Sequence, residues 1–209
     1  MLCSMASTPL PLGIGGVFYI NLDHRQDRRE QIEGELTSMG LPFERFPAIK
    51  GNPGIVGCNK SHLAVLKEAQ RRGYESVVIF EDDFQFLVDK ETFWNKLNAA
   101  AESLSSFDVI MLAYNLKQSE PHSALLEKVL EVQTTSGYIV HSRMYDDLIN
   151  LYEWATPLLQ TTDEHWIYAL DQIWKRLQPT SEWYAFKTRI GVQRPSWSDC
   201  WDNWSDNHC

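Results

Sequence analysis

Three adjacent carboxylates, Glu81, Asp82 and Asp83, follow directly on the apolar run Val77-Val78-Ile79-Phe80. Like charges this close repel one another unless solvent or a cation compensates them, and hard carboxylate oxygens suit Mg²⁺ or Mn²⁺. If the strand continues, side chains alternate between its faces, so Glu81 and Asp83 share a ligand while Asp82 points away. A solvated turn explains the triplet alone equally well.

A second polar concentration, Asn21-Leu22-Asp23-His24-Arg25-Gln26-Asp27-Arg28-Arg29, closes the apolar segment 17–22. Its amide and its arginine forks, Arg25 and Arg28 among them, have the chemistry to hold a nucleotide or phosphate. Taken singly, the stretch reads first as a solvated helix start. Ser61 and His62 are expected in the first turn of a helix capped by Asn59, where unsatisfied N–H groups and the dipole favour an anion. His62 serves equally well as a packing histidine.

The elements that must position these groups are visible as periodicity. Residues 17–22, 43–49, 77–80 and 109–112 read as strands. Ile32, Leu36 and Met39 before Gly40, and Phe93, Leu97, Ala101 and Leu104, recur at helical spacing. This alternation predicts an α/β fold with a largely parallel sheet and ligands at the strands' carboxyl ends. The second half is less regular, with a short strand at 137–140 and a helix marked by Trp166, Leu170, Ile173, Trp174 and Leu177.

The 209 residues suffice for one domain, and 44% hydrophobic against 22% charged residues excludes a disordered chain. A loose arm over 1–16 and one domain over 17–209 are expected. A net charge of −9 argues against nucleic acid and anionic membrane surfaces as partners. Cys3, Cys58, Cys200 and Cys209 form no CxxC pair and are expected as reduced thiols. The opening residues lack a basic signal-peptide start and no apolar run reaches membrane-spanning length, so a cytoplasmic protein without integral membrane association is expected.

Taken in order, the motifs resemble glycosyltransferase family 25, which includes lipooligosaccharide and procollagen galactosyltransferases. They are Tyr19-Ile20-Asn21-Leu22-Asp23 with the arginine-rich stretch, Gly57-Cys58 and Ser61-His62, Phe80-Glu81-Asp82-Asp83, Ser136-Gly137-Tyr138, Asp171-Gln172-Ile173-Trp174, and Gln193-Arg194-Pro195-Ser196-Trp197-Ser198-Asp199. Two positions depart from the family pattern. Glu81 replaces the first Asp of a strict DxD, and Cys200 stands where an aliphatic residue is usual.

The resemblance implies a GT-A-type, Rossmann-like nucleotide-sugar-binding fold with a mixed, mostly parallel central sheet flanked by helices. It also implies inverting transfer of a hexose, galactose foremost, from a UDP-sugar to a glycan or glycoprotein hydroxyl. Mn²⁺ or Mg²⁺ would sit at Glu81 and Asp83. Donor contacts fall to Asn21, Leu22, Arg25, Arg28, Ser61, His62, Asp82, Gln193, Ser198 and Asp199, acceptor contacts to Gly137 and Tyr138. The donor half would span about 17–115 and the acceptor half about 116–209.

Inversion needs a base opposite the leaving group. Asp171 and Asp163 are the candidates, but Thr161-Thr162-Asp163-Glu164 is already a capping-box pattern at a helix start, which leaves Asp171. Two rival readings are a metal-dependent nucleotidyltransferase and a catalytically silent sugar- or partner-binding protein on the same fold. Nothing in the chain specifies the oligomeric state.

Overall fold

Strand formers with little polar interruption build β1 (Ile14–Asn21), which starts three residues earlier than the apolar run suggested. The computed structural model describes residues 10–201, 203–206 and 209. Cys3 therefore lies outside the described residues, as does most of the expected N-terminal arm.

In chain order β1 is followed by α1 (Gln26–Met39), β2 (Glu44–Pro47), α2 (Gly54–Arg72), β3 (Ser76–Glu81), β4 (Phe84–Phe86), α3 (Lys90–Ser103) and β5 (Val109–Pro121). Then come β6 (Leu126–His141), α4 (Tyr145–Thr162), α5 (His165–Tyr168), α6 (Leu170–Ile173), β7 (Trp183–Phe186), β8 (Gly191–Gln193), β9 (Ser196–Ser198) and β10 (Asn203–Ser205). Six strands form one sheet in the order β2-β1-β3-β6-β5-β7. Only β6 runs against the others.

The period of two along each strand divides the core. Phe18, Ile20, Val77, Ile79 and Val140 pack against α2 and α4 on one face, while Val17, Tyr19, Val78, Phe80 and Ile139 meet α1 and α3 on the other. Both faces are covered, as the near-continuous hydrophobicity of these strands requires. From β1 the chain passes to β2 on one side and to β3 on the other. That reversal opens a crevice at the carboxyl ends of β1 and β3, the usual ligand site of open α/β sheets.

Several local expectations change. Helix α2 begins at Gly54, after Pro53, so Asn59 lies inside the helix instead of capping it. Its side chain ties Tyr168 O and Leu170 N, and Ser61 and His62 consequently do not sit at a helix start. Ala100, not Ala101, completes the buried face of α3. The short strand at 137–140 is the end of the sixteen-residue β6. Beyond it, α4 was not anticipated, although Tyr145, Leu148, Ile149, Tyr152, Ala155 and Leu159 trace its buried stripe.

Thr161 and Thr162 end α4 and Asp163 is its left-handed C-cap with φ 60°, so the capping-box reading fails. The helix marked by Trp166 to Leu177 is broken at Ala169, whose ψ of 148° separates α5 from α6.

Gly137 lies in β6 opposite Phe80, where a Cβ would stand 2.5 Å from the Phe84 ring. Gly137→Ala is expected to cost about 1–3 kcal/mol by overpacking. The cost should appear as a lower denaturant midpoint at unchanged slope; an unchanged midpoint would show that the ring moves freely.

Candidate functional site

The acidic triplet does sit where a strand ends, but the strand stops at Glu81 and Asp82-Asp83 turn into β4. Strict alternation therefore lapses, and all three carboxylates line one cavity of about 330 Å³ at the β1/β3 crevice. Arg28, carried by α1 and 9% exposed, reaches the turn from the side. Its Nη1 is 2.9 Å from Asp82 Oδ1 and 3.2 Å from Asp83 Oδ2. Asn21 Nδ2 donates to Asp82 Oδ2 at 2.7 Å.

These contacts give the carboxylates different environments. Burial, aided by Glu81 and Asp82, pushes Asp83 up to about 7 against the pull of Arg28. Burial likewise raises Asp82, opposed by Arg28 and Asn21. For Glu81 burial is outweighed by His62, Thr135 and Arg28, which hold its carboxyl below the ordinary range. Gln193 Nε2 donates to Asp83 Oδ2 at 3.1 Å, whereas Asp83 Oδ1 is buried without a hydrogen-bond partner. Such an orphaned oxygen suits a hard cation. Three carboxylates against one guanidinium also leave the excess negative charge that a divalent ion balances.

Of the residues expected to contact a donor, Leu22, Arg28, Ser61, His62, Asp82, Gln193, Ser198 and Asp199 line this cavity together with Glu81 and Asp83. Asn21 stands behind the wall, holding Asp82. Arg25 acts on the rim, where its guanidinium bonds Trp197 O and pairs with Asp199, which His24 also contacts at 3.0 Å. The C-terminal segment is thereby fastened over the cavity, and β8 pairs with β4 to the same effect. At Gly54 the approach is so close that a Cβ would lie 2.3 Å from Asp199 O.

Asp171 belongs to a second cavity of about 480 Å³, lined also by Thr134, His165, Trp166 and Trp201. Burial raises its carboxyl pKa, while the Thr134 N–H, donating to Oδ2 at 3.2 Å, and Gln172 oppose the rise. The two cavities meet along Cys58, Glu81, Gln193, Ser198 and Cys200. Gly137 and Tyr138 are buried and line neither cavity, so the expected acceptor contacts are corrected. Tyr138 is 0% exposed because it underlies the site, its hydroxyl 2.8 Å from His62 Nδ1.

Over 187 residues the chain is 25% identical to procollagen galactosyltransferase 1-A of Xenopus laevis, which covers 73% of this chain and 30% of that protein. It is also 27% identical, over 169 residues, to the inactive glycosyltransferase 25 family member 3 of Homo sapiens, covering 66% and 27% respectively. The chain is a relative of the glycosyltransferase 25 proteins.

It spans about a third or less of the length of these curated relatives. No protein-family model matches it. The fold is shared with a glycosyltransferase involved in the glycosylation of the major capsid of PBCV-1, at a TM-score of 0.51 and 11% identity over 90% of this chain and 95% of that one. No helix among the described residues is long and apolar enough to cross a membrane.

Within this glycosyltransferase 25-like chain, sequence reasoning overlooked Cys58, His24, Lys50 and Thr135 as wall residues. A signal for Cys58 was present, since it stands four residues before His62 and so shares its helix face. Thr135 lacks such a signal: only the pairing of β6 beside β3 brings its hydroxyl to Glu81.

Proposed function

We propose that this chain is a glycosyltransferase moving a hexose, galactose foremost, from a UDP-sugar in the first cavity to a glycan or protein hydroxyl in the second. The observation that carries this reading is the junction of the cavities. An acidic, nucleotide-sized crevice with a charge-excess turn adjoins a pocket that holds the half-buried carboxylate of Asp171 and exposed indoles. The sugar would lie at the junction by Glu81, with its leaving diphosphate toward Asp83 and Arg28.

In this reading residues 17–115 handle the donor, with later residues closing over it, and the second half mainly shapes the acceptor site. Arg28 and Asn21 fix the turn, and Leu22 with Ile20 offers apolar surface to the base. Asp171 accepts the proton of the attacking hydroxyl, giving inversion by direct displacement. Trp166 and Trp201, 61% and 46% exposed, offer ring faces to an acceptor sugar. Asp83 Oδ1 and Glu81 would hold Mn²⁺ or Mg²⁺, which when bound neutralises charge on the leaving diphosphate.

Purified protein incubated with a panel of UDP-sugars and Mn²⁺ should release UDP with one sugar preferred, and chelation should abolish release. Asp83→Asn should lower this metal-dependent release by about a hundredfold or more. Wild-type release by Asp83→Asn sinks the metal assignment, and nucleotide transfer without UDP release selects the nucleotidyltransferase alternative.

The similarity to an inactive member favours a specific second reading, a silent donor-binding protein. That reading predicts a thermal shift with UDP-sugar and no turnover with any acceptor.

A further inference from the structure

Helix α2 places Cys58 and His62 one turn apart on one face, and Glu81 ends β3 opposite them. Cys58 Sγ, a His62 ring nitrogen and a Glu81 carboxylate oxygen lie within 4.8 Å of one another. The imidazole is 1% exposed and locked in place. Its Nδ1 is 2.8 Å from Tyr138 Oη, and the two rings stack with centroids 5.8 Å apart. Burial keeps the Tyr138 phenol neutral, so its oxygen can accept the Nδ1 proton and leave the Nε2 lone pair facing the cluster.

That Nε2 is a buried polar atom with no hydrogen-bond partner. Glu81 Oε1 approaches it at 3.3 Å. A buried ring nitrogen in this condition costs free energy that a bound ligand recovers.

We propose that Cys58, His62 and Glu81 form a site for a thiophilic divalent cation of the Zn²⁺ class, with its fourth position open to the first cavity. A thiolate, a neutral imidazole and a carboxylate supply two negative charges, which balance one divalent ion. Sulfur and nitrogen donors select Zn²⁺ or Co²⁺ over Mg²⁺ or Mn²⁺. Tetrahedral ligands lie roughly 3.3–3.8 Å apart at the usual metal distances, so small side-chain rotations complete the site. Three protein ligands with one open position is the arrangement of reactive zinc centres, in contrast to closed structural ones.

Hydrogen bonding to Cys200, then burial, keeps Cys58 a thiol in the metal-free protein. Binding therefore breaks the S–H bond, forms a sulfur–metal bond and releases one proton to solvent. Glu81 is common to this set and to the Asp83 oxygen pair, so the two kinds of ion compete for one carboxylate. The site stands on these side chains alone, and failure of the glycosyltransferase reading leaves it intact.

The test is a Co²⁺ titration of the metal-free full chain in a phosphine reductant, followed by absorption. A thiolate-to-cobalt charge-transfer band should saturate near one equivalent, roughly a single site per chain. An equal amount of Zn²⁺ should erase the band, whereas Mn²⁺ should not. Cys58→Ser should lose the band, and Tyr138→Phe should weaken Co²⁺ binding about tenfold by freeing the ring.

No band in the wild-type protein, a band of full intensity in Cys58→Ser, or displacement by equal Mn²⁺ overturns the proposal. Should Cys58→Ser fail to fold, His62→Gln decides through the cobalt ligand-field bands, and an unchanged spectrum there also overturns it.

Discussion

Asp171→Asn is expected to lower sugar transfer by about 10²–10⁴-fold while donor binding is retained. The residue lies in the second cavity, whereas Asp82, Asp83 and Arg28, which in the proposed reading would face the leaving diphosphate, line the first. An asparagine keeps a side-chain oxygen for the Thr134 N–H, which matters because Thr134 has φ 84° and depends on its surroundings to hold it there. The variant should therefore fold, and its defect should lie in the chemical step.

The sign of the pH effect follows from burial, which raises the Asp171 pKa. A base works only when ionised, so wild-type turnover should fall as pH drops through a value above the ordinary carboxylate range. The residual rate of Asp171→Asn should lack that limb. Initial rates of UDP release with acceptor present, across the mildly acidic to neutral range, measure both. Transfer at the wild-type rate by the variant, or an unaltered acid limb, removes Asp171 from the reaction.

Arg28→Met should destabilise the fold by about 3–5 kcal/mol, because it leaves buried carboxylates without their counter-charge. Arg28 also donates to Ser196 Oγ at 2.6 Å and to Trp197 O at 2.7 Å, so the C-terminal segment should loosen as well. Arg28→Lys should recover only part of the loss, since an ammonium cannot span two carboxylates and a carbonyl as a planar fork does.

The pH dependence carries a sign of its own. Asp83 already titrates at about 7 in the folded protein, above its unfolded value of 3.8. A carboxyl raised in this way binds its proton more tightly when folded, so its contribution falls as pH climbs through that window and is flat above it. Without Arg28 both aspartates rise further. The deficit of Arg28→Met should thus be largest in mild alkali and shrink as the medium is acidified, as read by denaturant midpoints. A deficit under about 1 kcal/mol at neutral pH would mean that solvent screens the pair.

Legibility differed along the chain for physical reasons. The strands of the first half are buried on both faces, so hydrophobicity alone marks 17–22 and 77–80 as strands, and α1 ends at Gly40 with φ 67° as its spacing predicts. Where polar caps had to be judged, local pattern misled. Thr161-Thr162-Asp163-Glu164 has the composition of a helix start, yet Asp163 can adopt the left-handed conformation that ends one, and the preceding stripe on α4 is packed against α2. The start of α2 was hidden because Asn59 has the chemistry of a cap, whereas the true first turn at Gly54 carries no capping side chain and packs against the backbone of Asp199 and Cys200.

By itself the sequence determined an α/β order, an acidic turn at the end of a buried strand and the set of motifs that carries the resemblance to glycosyltransferase 25 proteins, because these are written in neighbouring residues and their period. The tertiary structure alone decided that Arg28 neutralises Asp82 and reaches Asp83, that Tyr138 lies beneath His62, and that Asp171 occupies a separate pocket. Charge compensation and burial depend on distance in space. Residues 54 or 76 positions apart become partners only when the sheet order brings their strands and helices side by side.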